Sequence, residues 1–166
     1  MKTTNAQYKT VDGGTSTPTD IVTHTFIREV TAKYIGPRRK CGRILCPKDV
    51  KDFAAKVVRD NSREHFLALF LNGAHHVVSF SVVTTGTANS TLVHPREIFQ
   101  HAVLVGATAI VVAHNHPSSQ LEASGEDVRV THMLKAAGEI MGIELLDHVI
   151  FTDDGHWSFK DNGTVF

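Results

Sequence analysis

Cysteine is nearly missing from this sequence. Cys41 and Cys46 are the only two, and a lone C-x4-C pair argues neither for a disulfide framework nor for a thiolate zinc site. Both read as reduced structural thiols, the default inside cells. Long apolar runs are missing too. No stretch approaches the roughly 20 apolar residues that a membrane span needs, so no membrane partner is expected. Met1 to Thr10 is polar and lacks the apolar centre of a secretory signal. These absences lead us to expect a soluble, cytoplasmic protein. Neither sign of charge is in excess: 17 Lys and Arg face 17 Asp and Glu. A uniformly basic nucleic-acid binder is thereby disfavoured.

The balance is uneven along the chain. Residues 1–60 hold 12 basic and 6 acidic residues, and residues 61–166 hold 5 and 11. The basic excess gathers at Lys33, Arg38, Arg39, Lys40 and Arg43. Such a run reads either as a solvated surface loop or as a contact for nucleic acid or an acidic partner.

Residues 1–20 are dominated by Thr, Ser, Gly and Asn, and are expected to form a polar, disordered tail. Residues 21–43 are expected to hold a strand, Ile21–Val30, and the basic segment, divided by Gly36-Pro37. The remaining residues, 44–166, have ordinary globular composition and read as one domain. Pro47 opens a helix whose Val50, Phe53, Ala54, Val57 and Val58 share one face. Phe66–Leu71 and Val77–Thr84 read as strands of a hairpin turned at Asn72-Gly73. A second helix runs from Pro95 to about Val105. Ala107–Ala113 is apolar throughout and reads as a buried central strand. Ser124 is placed to cap a helix that ends at Gly142. Strands over Glu144–Thr152 and His156–Phe159 follow, with a turn at Asp154-Gly155. Hairpins with helices between them indicate an α/β or α+β fold with a mixed sheet.

The chemically informative segment lies where the central strand runs into a loop and then a helix. It holds His114-Asn115-His116-Pro117, with Ser124 and Asp127 downstream. Residues i and i+2 of an extended chain project to one side, so His114 and His116 can aim at one point. Asp127, one turn into the helix, can reach the same point. Two imidazoles and a carboxylate, with a fourth position left open, is the donor set of catalytic zinc. A simpler reading stands beside it. Two of 11 histidines can fall at i, i+2 without purpose, and Ser-x-x-Asp is also a capping box.

The pattern His-x-His, seven residues, Ser, two residues, Asp resembles the JAMM motif of MPN/JAB domains. The stretches Arg63-Glu64-His65-Phe66, Gly86-Thr87, Val93-His94-Pro95-Arg96-Glu97, His116-Pro117-Ser118 and Leu146-Asp147-His148 are similar to the RadC-like bacterial branch. The resemblance covers residues 44–166, and 21–43 more loosely. It implies a mixed sheet flanked by helices, in a layout like that of cytidine deaminases. It further implies one Zn2+ per chain on His114, His116 and Asp127, and a protein or peptide substrate. Glu64 would act as general base on the attacking water and return the proton to the leaving nitrogen, with Glu97 the competing candidate. Ser124 would donate its hydroxyl to the developing oxyanion. Asn115 and Ser118 would support the site from behind. Two departures are visible: Ser119 stands where the branch usually has glycine, and Ala123 where it usually has proline. The helix-hairpin-helix region of longer RadC-like proteins has no counterpart in these residues, so no DNA-repair role is carried over.

Three functions compete at this point. One is a zinc hydrolase of peptide or isopeptide bonds. The second is an MPN-type module that docks DNA or a protein partner, its zinc structural or vestigial. The third is another zinc-assisted hydrolysis, of an amide or phosphoester. The Phe66–Thr84 hairpin offers an edge to a second copy, so a homo-oligomer is among the expected assemblies.

Overall fold

Pro47–Val57 forms helix α1 because its apolar residues recur at helical spacing and its start is well closed. Cys46 is the N-cap, Pro47 follows it, and the Asp49 carboxylate accepts from the Leu45 and Cys46 amides at 2.8 and 3.1 Å. The computed structural model describes residues 42–86 and 93–166, all within one compact unit. The expected tail, the strand at 21–30, Cys41, Thr87 and the basic run other than Arg43 lie outside the described residues.

Strands β1 (Glu64–Leu71) and β2 (Val77–Gly86) form the expected hairpin. Its turn is longer than an Asn-Gly pair alone would make. The Asn72 side chain accepts from the amides of Ala74 and His76, and the positive φ falls on His75, at 60°, not on Gly73. Helix α2 (Pro95–Leu104), strand β3 (Ala109–Asn115), helix α3 (Gly125–Met141) and strands β4 (Glu144–Phe151) and β5 (His156–Ser158) complete the order. The five strands form one mixed sheet in the order β2-β1-β3-β4-β5. Only β3 and β4 are parallel, joined by the α3 crossover. Among the described residues, no helix is long and apolar enough to cross a membrane.

Helices cover both faces. On one, Val50, Ala54 and Val58 pack on Leu67, Leu69, Leu71, Val111 and Ala113. On the other, Ile98, Phe99, Ala102, Val130 and Leu134 pack on Phe66, Ala68, Phe70, Ile110 and Val112. Full burial of each Val, Leu, Ile or Phe side chain among them contributes roughly 1.5–3 kcal/mol. This explains why β1 and β3 read as continuous apolar runs instead of alternating ones.

Two features of this core set up the site. The inner stripe of α3 is Asp127, Val130, Thr131, Leu134 and Gly138. It is apolar along most of its length and polar at its first turns, beside the end of β3. The second feature is a register irregularity between β3 and β4. Ile110 pairs with Leu145 but Val111 pairs with Asp147, so β4 carries one extra residue. Leu145 packs under α3, whereas Val149 and Phe151 pack on the α1 side. Strict alternation would put Leu145 and Val149 on the same face. The bulge changes the phase and turns His148 toward His114.

Candidate metal centre

The carboxyl end of β3 carries three successive polar residues in a strand otherwise buried and apolar. His114 and Asn115 are buried, and His116 is half-buried where the chain leaves the sheet. Pro117 then opens a turn closed by the Ser119 amide donating to the His116 carbonyl at 3.0 Å. Ser119 has φ 62°, a left-handed conformation that glycine adopts without strain. The loop ends at Ser124, the N-cap of α3, which accepts from the Asp127 amide at 3.2 Å.

These elements bring His114, His116 and Asp127 together, as the spacing anticipated. His114 Nε2 lies 2.8 Å from His116 Nε2 and 3.1 Å from Asp127 Oδ1, and His116 Nε2 lies 3.7 Å from Asp127 Oδ2. Donors bound at about 2.0–2.2 Å to a tetrahedral ion stand about 3.3 Å apart, so these spacings suit a zinc-sized ion with shifts of about half an ångström.

The surrounding hydrogen bonds assign the protons. The Thr131 hydroxyl is 2.6 Å from the Asp127 backbone carbonyl, which can only accept, so Thr131 donates there. Thr131 Oγ1 must then accept from His148 Nδ1–H, at 2.6 Å. His148 is fully buried, and burial first, then the neighbouring His114 charge, holds its pKa well below the ordinary value. It is neutral, and its Nε2 accepts from His114 Nδ1–H at 2.8 Å. His116 Nδ1–H donates to the Gln120 carbonyl at 2.7 Å. With Nδ1–H of each ring committed, the Nε2 atoms of both face the centre. Two Nε2 atoms 2.8 Å apart beside a carboxylate need a proton or a metal ion between them.

Asp127 agrees with this. Burial opposes its ionisation, but the hydrogen bond and charge attraction of the His114 ring, with hydrogen bonds from Ser124, outweigh burial. Its carboxyl stays well below the usual range and is anionic at any working pH. Either a proton on the imidazole pair or a metal ion in its place balances that charge. The walls are apolar: Phe66 stacks on His114 with ring centroids 5.8 Å apart, and Phe159 on His148 at 4.7 Å.

The other nominated residues are placed as follows. Glu64 opens β1 and is half-buried. Phe66 pairs with His114, so two residues back along β1 Glu64 stands on the same face, level with the end of β3. Asn115 clamps this stretch: it accepts from the His65 amide and donates to the Arg63 carbonyl, both at 2.8 Å. Both bonds fall on β1, on either side of Glu64. Glu97 is exposed on the first turn of α2, and Ser118 is exposed on the loop. Ser124 is also exposed; its amide donates to Asp127 Oδ2 at 2.8 Å, completing the capping box, and its hydroxyl donates to the same oxygen at 2.6 Å. Sequence reasoning did not nominate His148 or Thr131. The available signal was Asp147-His148, two polar residues within an otherwise apolar buried strand.

Residues 44–164 match the family model described as the RadC-like JAB domain. A UPF0758 protein from Desulforamulus reducens is 43% identical over 122 residues, covering 74% of this chain and 54% of that protein. One from Staphylococcus aureus strain bovine RF122 is 45% identical over 121 residues, covering 73% and 53%. One from Chlorobaculum parvum is 43% identical over 123 residues, covering 74% and 55%. The chain spans about half the length of these relatives. A polar His-His-Asp cluster at the end of a buried strand, on a mixed sheet flanked by helices, is what the resemblance implied, and with this match the chain belongs to the family of RadC-like JAB domains.

Proposed function

We propose that this domain is a zinc-dependent hydrolase of the JAMM type that cleaves a peptide or isopeptide bond with an activated water. The observation that carries the reading is the convergence of two imidazole Nε2 atoms and an anionic carboxylate, with Nδ1–H of each imidazole already committed elsewhere. His114, His116 and Asp127 would hold the ion. Imidazole and carboxylate together suit zinc, and three protein ligands leave the open position of a catalytic site. Zinc bound there supplies Lewis-acid chemistry, polarising a carbonyl and lowering the pKa of water from about 15.7 to about 7.

The chain's own residues supply the remainder. Glu64, at the start of β1, takes the proton of the attacking water and delivers it to the leaving nitrogen. Asn115 holds the backbone on both sides of Glu64, so the carboxylate is presented from a fixed strand end. Ser124 turns its hydroxyl from Asp127 Oδ2 to the oxyanion as charge develops. Its exposure leaves room for that rotation. Phe66 limits water on the inner side of the imidazoles, which strengthens each charge interaction in the site.

Glu64→Gln tests the reading. Zinc content should be unchanged, while turnover of a diverse peptide and isopeptide substrate set falls at least about 100-fold, the lower range for removing a general base. Undiminished turnover in Glu64→Gln would contradict the role of Glu64. A zinc-loaded wild type that cleaves nothing in the set would transfer the reading to a partner-docking module with a structural ion.

A further inference from the structure

Behind the metal centre runs a buried chain of hydrogen bonds whose direction is fixed at its far end. It begins at His114 on β3, crosses to His148 on β4, passes to Thr131 on α3, and ends on the backbone carbonyl of Asp127. The heavy-atom separations are 2.8, 2.6 and 2.6 Å. His114, His148 and Thr131 are fully buried, so no water competes for these bonds. One ligand of the cluster is thus tied to the backbone of another through two side chains that touch no ion themselves.

We propose that Thr131 and His148 are positioning residues that set the tautomer of His114 and hold its Nε2 lone pair ready for the metal. The inference rests on the metal-centre reading above and deepens it. The polarity has a single origin. A hydroxyl carries one proton, and the Asp127 carbonyl takes it, so Thr131 is left as an acceptor. His148 must then carry its proton on Nδ1, and His114 must carry its own on Nδ1 as well. Without the Thr131 hydroxyl, His148 is free to hold its proton on Nε2 and donate it to His114 Nδ1. His114 would then carry its proton on Nε2, aimed at His116 and Asp127, where it blocks a metal. His116 is treated differently: one backbone carbonyl on a partly exposed loop sets its tautomer. The two imidazoles are therefore unequal, His114 preorganised from the core and His116 adjustable. The device also ties α3 to β3, so the first turn of α3, with Ser124 and Asp127, stays in register with the histidines.

The test compares Thr131→Val, Thr131→Ser and His148→Phe with the wild type. Zinc affinity is read by competition with a chromophoric chelator. The protonated nitrogen of His114 is read by long-range 1H–15N NMR on metal-free protein, at a pH where the ring is neutral. The wild type should show Nδ1–H on His114. Thr131→Val should bind zinc about 10- to 100-fold more weakly, the usual effect of removing such an outer partner. It should also show an Nε2–H population on His114. Thr131→Ser, which restores the hydroxyl, should match the wild type in both readouts. His148→Phe, a shape that keeps the stack on Phe159, should resemble Thr131→Val; if it does not fold, the threonine pair decides alone. The proposal is overturned by Nε2–H on wild-type His114, by a Thr131→Val that keeps full affinity or an unchanged tautomer, or by a Thr131→Ser that is as weak as valine. A wild type that binds no zinc would remove the hydrolase reading, while the His114 tautomer would still decide the relay.

Discussion

Asn115→Ala separates the architecture of the site from its metal. The Asn115 amide is buried and bonds twice across to β1, accepting from His65 N–H and donating to the Arg63 carbonyl. Those bonds continue the β1–β3 connection beyond Phe66–His114, the last backbone pair of that ladder. Arg63 is exposed, so its carbonyl can take water instead, and losing that bond should cost about 1 kcal/mol. The His65 amide is half-buried and would be left with poor access to water, at about 1–2 kcal/mol. The sum is about 2–3 kcal/mol. With a urea m-value of about 2 kcal/mol/M, the midpoint should fall by about 1–1.5 M. The unfolding is to be measured with chelator present, so that metal linkage does not enter. Amide hydrogen exchange supplies the local readout: His65 should lose protection while the centre of β1, at Ala68 and Leu69, keeps it. Metal content should stay at the wild-type level, since the three ligand side chains are intact. Asn115→Asp should be no better than alanine, because it sets a carboxylate oxygen against the Arg63 carbonyl. A midpoint within about 0.3 M of wild type, with the His65 amide still protected, would refute the clamp.

Other perturbations follow from the same structure. Gly138→Ala should destabilise by about 1–2 kcal/mol in chemical unfolding. Alanine gains about 1 kcal/mol of helix propensity, but its Cβ would stand 2.5 Å from the Ile143 carbonyl oxygen, so overpacking wins; a stabilised variant would contradict this. Ser119→Gly should leave stability unchanged or raise it by up to about 1 kcal/mol, since serine at φ 62° is strained and glycine is not; a loss beyond about 1 kcal/mol would show that the Ser119 side chain itself matters. Asp147 is buried, and burial raises its pKa above the ordinary 3.8 despite hydrogen bonds from Ser158, Lys160 and His148. The folded state therefore binds this proton more tightly than the unfolded state, and stability from this group falls as pH rises from 3.8 through the raised value. The stability difference between Asp147→Asn and wild type, followed by urea unfolding with chelator, should shift toward the variant over that range; a flat difference would contradict the raised pKa.

Much of this molecule is legible from the order of its residues. Helix α1 follows from the spacing of Val50, Ala54 and Val58, and α3 from Ser124, Asp127 and Gly142, because capping and periodicity are local. The central position of β3 follows from its unbroken apolar run. The His114, His116 and Asp127 cluster was readable because strand periodicity and a helix cap both act within a few residues. The relay was not. Its geometry depends on one extra residue in β4, which no local pattern announces and which only pairing with β3 reveals. The hairpin turn likewise closes around the Asn72 side chain and His75, a loop geometry the Asn-Gly pair understates. Glu64 was nominated by resemblance alone. Its placement at the start of β1 comes from the β1–β3 register and the Asn115 clamp, both set across the sheet.

The most direct measurement is elemental analysis of wild-type protein and of the His114→Ala/His116→Ala variant, purified without added metal. The account predicts about one zinc per wild-type chain and none in the variant, with the variant still folded by circular dichroism. A wild-type protein that holds no zinc, even after zinc is offered and the excess dialysed away, would contradict it.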